Sequence, residues 1–317
     1  VSIRFIDAGL QTSVQDLGRT GMMRYGVSQG GAADPLAARL GNLLLGNPPH
    51  NPVLEVTLIG PRLEFQCDIS LVVTGARFTL TLDGESVEND QVIQARRGSV
   101  LNFGQLLSGT RAYIAFAGQM ALTRIFDSFS THLQSGFGGC GGQPLKKGDL
   151  IRFEETRTVA DRQLREEHRL RYTGHPRLRV VAGAEETLFS GETLERFYTQ
   201  AFRVTPQSNR MGIRLTGEPL HCAARTQIIS SGLCPGTIQV PPDGDPIIAF
   251  VEGQTIGGYP RIAHVISADQ HLLGQLKAND RISFEKVSLA RAHEILAGKS
   301  ALLNQLTAEY SCHSASD

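Results

Sequence analysis

The chain has 317 residues, 41% hydrophobic and 20% charged, with 31 basic against 31 acidic side chains and a pI near 7.2. That composition is globular rather than disordered, allows two ordinary domains, and lacks the basic stripe a nucleic-acid partner requires. No apolar run is long enough to span a bilayer and "VSIRFIDAGLQTS" has no signal-peptide core, so the expectation is a cytoplasmic protein without a membrane partner.

The first polar cluster is "QDLGRTG" at 15 to 21, where Asp16 and Arg19 flank a glycine. A helix follows in "GGAADPLAARLGNLLLGNP": Asp34 can cap it, Pro35 suits its first turn, and Gly46-Asn47-Pro48 stops it. From 53 to 117 the pattern is β, with runs "VLEVTLI", "SLVVT", "RFTLTL", "QVIQA", "SVLNF" and "RAYIAFA". Asp83-Gly84 is a type I′ hairpin signal. Short, regularly spaced strands suggest a barrel or sandwich rather than alternating βα units. A second glycine-rich polar cluster, "FDSFSTHLQSGFGG", spans 126 to 139.

Residues 155–178 are dense in charge and read as a solvated connection. The resulting division is a first half at 1–154, the connection at 155–178, a second half at 179–287, and a C-terminal helix and tail at 288–317. Helices are expected at Glu192–Ala201, opened by Ser190, and at Leu289–Leu306. Strands are expected at "LRVVAG", "GIRLTG", "TQIISSG", "GTIQVP", "PIIAFVE", "RIAHVIS" and "RISFEK". Cys67, Cys140, Cys222, Cys234 and Cys312 fit no zinc or redox spacing and the nine histidines contain no H-x-x-x-H pair. Reduced structural thiols and no metal are therefore expected.

Two further clusters lie in the second half: "SNRMG" at 208 to 212, with Asn209 and Arg210, and "VEGQTIGGYPRIAHVIS" at 251 to 267, with Glu252, Gln254, Tyr259 and Arg261. Long polar side chains beside glycine suit a place where backbone approaches a ligand. They equally suit a structural turn whose side chains tie off loop backbone. If the strand continues from Ile247 to Glu252, Glu252 ends an apolar face and needs a cation, for which Arg261 is the local choice. Arg19 and Arg210 offer planar donor forks for a carboxylate or phosphate, or could be satisfied by acids such as Asp16. His264 reads as a core or rim residue. There is no G-x-x-x-x-G-K-[ST] loop, no G-x-S-x-G elbow and no Met-Lys-Met biotin-bearing segment.

Taken together, "TSVQDLGRTGMMRYGVSQGGAADPLAARLGNLLLGN", "LEVTLIGP", "SNRMGIRLTG", "GTIQVPPDGDPI" and "QTIGGYPRIAHVISAD" resemble the carboxyltransferase A/B family, which includes the C subunits of bacterial 5-oxoprolinases and allophanate hydrolase subunit 2. The resemblance implies a mainly β fold of tandem cyclophilin-like β-barrel domains with a few helices. It also implies ATP-dependent opening of 5-oxoproline to glutamate, with MgATP used by a complex that includes subunits A and B. Asp16 and Glu252 would then be acid–base or orienting groups, and Arg19, Asn209, Arg210, Gln254, Tyr259 and Arg261 would bind substrate or anion. Two alternatives stay open: a biotin-dependent carboxyltransferase component, or a non-enzymatic partner of a kinase inhibitor. Glu252 stands where the family has aspartate, Ile256 replaces a common threonine, Gln119 interrupts Ala-Gly-Gly, and Asp127 replaces a glycine.

Overall fold

Four of the apolar runs between residues 70 and 117 belong to only two strands. In the computed structural model, which describes residues 1–222 and 228–312, strands Ile69–Leu82 and Val100–Phe116 pair antiparallel along most of their length. Residues 104–108 are exposed or half-buried, so no apolar run marks them as strand. The pairing also shifts register at Gly75, where φ is +86°, and the shift bends the ribbon. Asp83 and Gly84 both have positive φ (54° and 90°), as a type I′ turn requires, and join Ile69–Leu82 to Glu85–Val87.

The chain is mainly β and falls into two compact units. The first comprises Val1–Arg19, Gly30–Tyr172 and the end of the chain from Leu303. Its half-barrel sheet has ten strands. One path runs from Gln11–Gln15 through Val53–Thr57, Val100–Phe116, Arg62–Phe65, Ser2–Asp7 and Leu150–Thr156 to Gly118–Met120. Ile3, Phe5, Leu63, Phe65, Val73, Phe78, Ile114 and Phe116 fill its core.

Helix α1 (Pro35–Leu44) covers the opposite face, with Leu40 and Leu44 packed among Val53, Val72 and Tyr113. Its start follows the sequence rule: the Asp34 carboxylate accepts from the N–H groups of Leu36 (3.1 Å) and Ala37 (2.9 Å), and Pro35 is the first helical residue. The charged stretch is not wholly solvated. Leu164 is buried, Val159 and Leu170 pack on the same cluster, and Val92 N–H donates to Arg162 O at 2.8 Å. The charge density hid three spaced apolar side chains that hold residues up to Tyr172 on the first unit.

The second unit, Thr20–Gln29 with Thr173–Leu302, is a closed seven-stranded barrel. Around it run Arg177–Ala182, Arg261–Val265, Thr237–Gln239, Ile247–Ala249, Gly212–Thr216, Phe202–Val204 and Arg281–Lys286. The last closes parallel onto the first, with Arg177 opposite Ser283. Val180, Ile213, Ile238, Ile248 and Ile262 are buried in it. Helix α2 (Gly191–Thr199) is capped by Ser190 Oγ, which accepts from Thr193 N–H at 3.2 Å, and stacks Phe197 on Phe284 at 4.6 Å between ring centres. The expected strand "TQIISSG" begins at 226 and 227, which lie outside the described residues; its described part gives the short strand Ser231–Gly232.

After the short helix α3 (Gln270–Leu273) comes α4 (Leu289–Cys312), six residues longer than its pattern suggests. Ala292 and Ile295 pack with Ile266 and Ala268, whereas Leu303, Leu306 and Tyr310 join the α1 cluster. Among the described residues, no helix is long and apolar enough to cross a membrane.

Candidate functional site

The sequence-selected residues divide between the units: Asp16 and Arg19 in the first, the other six in the second. Asp16 follows strand Gln11–Gln15 and is buried. Its Oδ1 accepts from Ser128 Oγ (2.6 Å), Ser130 Oγ (2.5 Å) and Gly18 N–H (2.8 Å), and its Oδ2 from Phe129 N–H (2.7 Å). One carboxylate therefore ties the 126–139 cluster to the strand end. Ser128 and Ser130 lie inside that cluster, but nothing local in the sequence identifies them as the partners of Asp16.

Arg19 is only 1% exposed. Its guanidinium donates to Ser130 O and lies over the Phe137 ring, 4.7 Å from the ring centre. The adjacent glycines make room for that side chain. A Cβ on Gly138 would stand 2.7 Å from Arg19 Nη2 and collide with Ser130 O, and one on Gly30 would stand 3.0 Å from Nη1. Glycine beside arginine here reflects protein packed around a buried cation.

In the second unit, Asn209 Oδ1 accepts from the N–H groups of Met211 (2.8 Å) and Gly212 (3.3 Å), closing the turn before strand Gly212–Thr216. The turn aims Arg210 inward. Pairing of Gly212–Thr216 with Ile247–Ala249 continues past both strand ends, with Glu252 N–H donating to Arg210 O at 2.8 Å. The same register brings Arg210 Nε to Glu252 Oε1 at 2.5 Å, with the side chains 7% and 1% exposed.

The local pairing of Glu252 with Arg261 is thus corrected: Glu252 meets Arg210, 42 positions away, and Arg261 meets Glu185. Arg261 Nε donates to Glu185 Oε2 (2.7 Å), Nη2 to Oε1 (2.5 Å) and Nη1 to Gly232 O (3.1 Å). This two-point bond holds the Glu185 carboxyl below its usual range and raises the guanidinium, against the opposing effect of burial. Sequence reasoning missed Glu185. It lies beyond strand Arg177–Ala182, whose antiparallel register with Arg261–Val265 carries it to Arg261.

Gly257 and Gly258 are the close-approach positions of the cluster, and protein occupies the space beside them. A Cβ on Gly257 would sit 2.6 Å from Gln239 Nε2, and one on Gly258 3.2 Å from Ser230 Oγ. Ile256–Gly257 pairs with Ser231–Gly232, and Gln239 Nε2 donates to Tyr259 O at 3.3 Å. On this braced frame Gln254 is exposed and Tyr259 is 45% exposed. The outward groups can offer a solute an amide, a phenol and the edge of a paired guanidinium. Arg19, Asp16, Arg210 and Glu252 are enclosed by protein.

A closed seven-stranded barrel in one unit and a half-barrel sheet in the other is an architecture that the chain shares with solved carboxyltransferase domains. The family model described as "Carboxyltransferase domain, subdomain A and B" matches residues 25–286, and the chain belongs to that family. It is 34% identical to the 5-oxoprolinase C subunit of Haemophilus influenzae, over 96% of this chain and 97% of that protein. It is 36% identical to the 5-oxoprolinase C subunit of Escherichia coli, over 92% and 93%. The crystal structure of the Kluyveromyces lactis urea amidolyase superposes on 96% of this chain with a TM-score of 0.89 at 27% identity; this chain spans 20% of that larger protein.

Proposed function

We propose that this chain is the C subunit of a cytoplasmic, ATP-dependent 5-oxoprolinase that opens 5-oxoproline to glutamate together with subunits A and B. The observation that supports it is identity of 34% and 36% to two 5-oxoprolinase C subunits, running through nearly the whole of each. The chemistry requires an energy source. A five-membered lactam carbonyl resists water, and phosphorylation of its amide oxygen by MgATP, used as a substrate, makes it attackable. Cationic and amide donors must then meet the substrate carboxylate and the transferred phosphoryl group. In this reading Gln254, Tyr259 and Arg261 contact the bound group, with Glu185 fixing the orientation of Arg261. Asn209, Arg210 and Glu252 set the loop geometry from behind, and Asp16 and Arg19 do the same for the 126–139 segment.

The test is ATP-dependent glutamate release by the purified chain, by subunits A and B together, and by all three. Turnover only in the three-subunit mixture supports the proposal; robust turnover by the chain alone, or none in the full mixture, refutes it. A second reading, the acceptor half of a biotin-dependent urea carboxylase, is favoured by the superposition on the Kluyveromyces lactis urea carboxylase at TM-score 0.89. It predicts biotin-dependent carboxylation of urea when a biotin carboxylase and its carrier replace subunits A and B.

A further inference from the structure

The "CPGT" turn and the "RIAHV" strand of the second unit bring three reactive side chains together, none of them among the candidate site residues. Thr237 N–H donates to Cys234 O at 3.1 Å, closing a turn that presents the thiol just ahead of strand Thr237–Gln239. Antiparallel register places Thr237 opposite His264 on Arg261–Val265. Thr237 Oγ1 lies 3.2 Å from His264 Nδ1, while Cys234 Sγ lies 3.5 Å from Thr237 Oγ1 and 4.0 Å from that same Nδ1. Gln270 Nε2, reaching from α3, donates to Pro235 O at 3.0 Å and anchors the turn from its other side.

We propose that Cys234, Thr237 and His264 form a reactive-thiol site at which peroxide converts Cys234 to its sulfenic acid. Three features carry this. Cys234 is exposed, whereas Cys67 and Cys140 are partly buried against the core of the first unit. It is the one described cysteine with an imidazole and a hydroxyl both within contact of its sulfur. Its turn is fixed by backbone and amide bonds, so the imidazole is held beside it.

The surroundings favour the anion. The His264 hydrogen bond first, then that of Thr237, pulls the Cys234 thiol below its ordinary range against the effect of burial, with the Arg261 charge adding to them. Burial instead pushes Cys67 up, and Cys140 to about 11. The ionisable groups near the thiol are His264 and Arg261 on the facing strand, with Glu185 bound to Arg261. The α3 side chain that meets the turn, Gln270, is neutral.

In the step itself, His264 takes the thiol proton and the thiolate attacks one peroxide oxygen. The S–O bond forms as the O–O bond breaks, and the departing hydroxide leaves as water with the imidazolium proton. Sulfur is oxidised by two electrons and the peroxide is reduced, leaving a sulfenic acid that a thiol reductant can restore.

Two measurements on the full chain test this: peroxide followed by dimedone trapping, and iodoacetamide labelling across pH, each read for every cysteine by peptide mass spectrometry. Cys234 should trap dimedone and label at least about tenfold faster at pH 7 than Cys67 or Cys140, with a midpoint below the ~8.5 of a free thiol. His264→Gln should raise that midpoint and slow the labelling. If His264→Gln fails to fold, Thr237→Val should do the same to a smaller degree. Ordinary-thiol titration of Cys234, no dimedone adduct, or an unchanged profile in the folded variants would overturn the assignment.

Discussion

Replacing Glu252 with glutamine leaves the Arg210 guanidinium in a place where water cannot solvate it. Both side chains are almost fully enclosed and the pair meets at 2.5 Å. With an effective dielectric of about 20, two unit charges about 4 Å apart attract by about 4 kcal/mol, while each ion has lost several kcal/mol of hydration. The pair is therefore near break-even against apolar replacements, but removing one partner takes from the other the opposite charge that offsets its lost hydration. Glu252→Gln should destabilise the second unit by about 3–5 kcal/mol. The double change Arg210→Met with Glu252→Leu should recover most of the loss caused by either of those two substitutions alone, giving a coupling of at least about 2 kcal/mol in the cycle they form. The chain has no tryptophan, so far-UV circular dichroism during urea denaturation is the suitable readout. The reasoning fails if Glu252→Gln unfolds within about 0.5 kcal/mol of the parent, or if the double variant is worse than the single one.

Gly138→Ala should cost about 2–5 kcal/mol, because φ is +75° and the new methyl would meet Ser130 O and the Arg19 guanidinium. Gly141→Ala, at φ +67° with open space around it, should cost only about 1–2 kcal/mol of backbone strain; equal melting temperatures would refute the cage around Arg19. Burial raises the Asp90 carboxyl from 3.8 to about 6, so the folded state binds the extra proton between those values and stability falls as pH rises through them. Asp90→Asn should accordingly gain about 2–3 kcal/mol relative to the parent between pH 3.5 and pH 7, read from urea midpoints. The opposite sign holds for Glu185, which lies below its usual value: its contribution is present above about pH 4.5 and is lost as pH falls through the folded-state value. Glu185→Gln should cost about 1.5–3 kcal/mol at pH 7 and progressively less below pH 4; a pH-independent difference would contradict the Arg261 pairing.

Features set by a few adjacent residues were legible in the sequence. Asp34-Pro35 opens a helix, Ser190 caps another and Asp83-Gly84 turns a hairpin, each by chemistry confined to one turn. The mainly β character followed from residue types alone. The partners of the charges were not legible, because register across strands far apart in sequence chooses them. Arg261 is nine residues from Glu252, yet its carboxylate is Glu185, 76 residues away, because Ala182 stands opposite Ala263. Pattern reading also left glycine beside long polar side chains open between space for a ligand and a structural turn; at Gly138 the nearest side chain is Arg19. Sequence distinguishes an enclosed cation from an outward one only where the neighbours that enclose it lie close along the chain.

The parallel closure of Arg281–Lys286 onto Arg177–Ala182 also bears on how the protein is made. These strands meet only after more than a hundred residues have emerged from the ribosome, and that long loop must be closed before the contacts between them form. Until then Arg177–Ala182 and Phe202–Val204 each lack the neighbour that Arg281–Lys286 supplies, and their free edges can pair with another nascent chain. Chains released before residue 281 should therefore collect in aggregates rather than as soluble half-barrels, and slower elongation between residues 204 and 286 should lengthen the period in which those edges stand open.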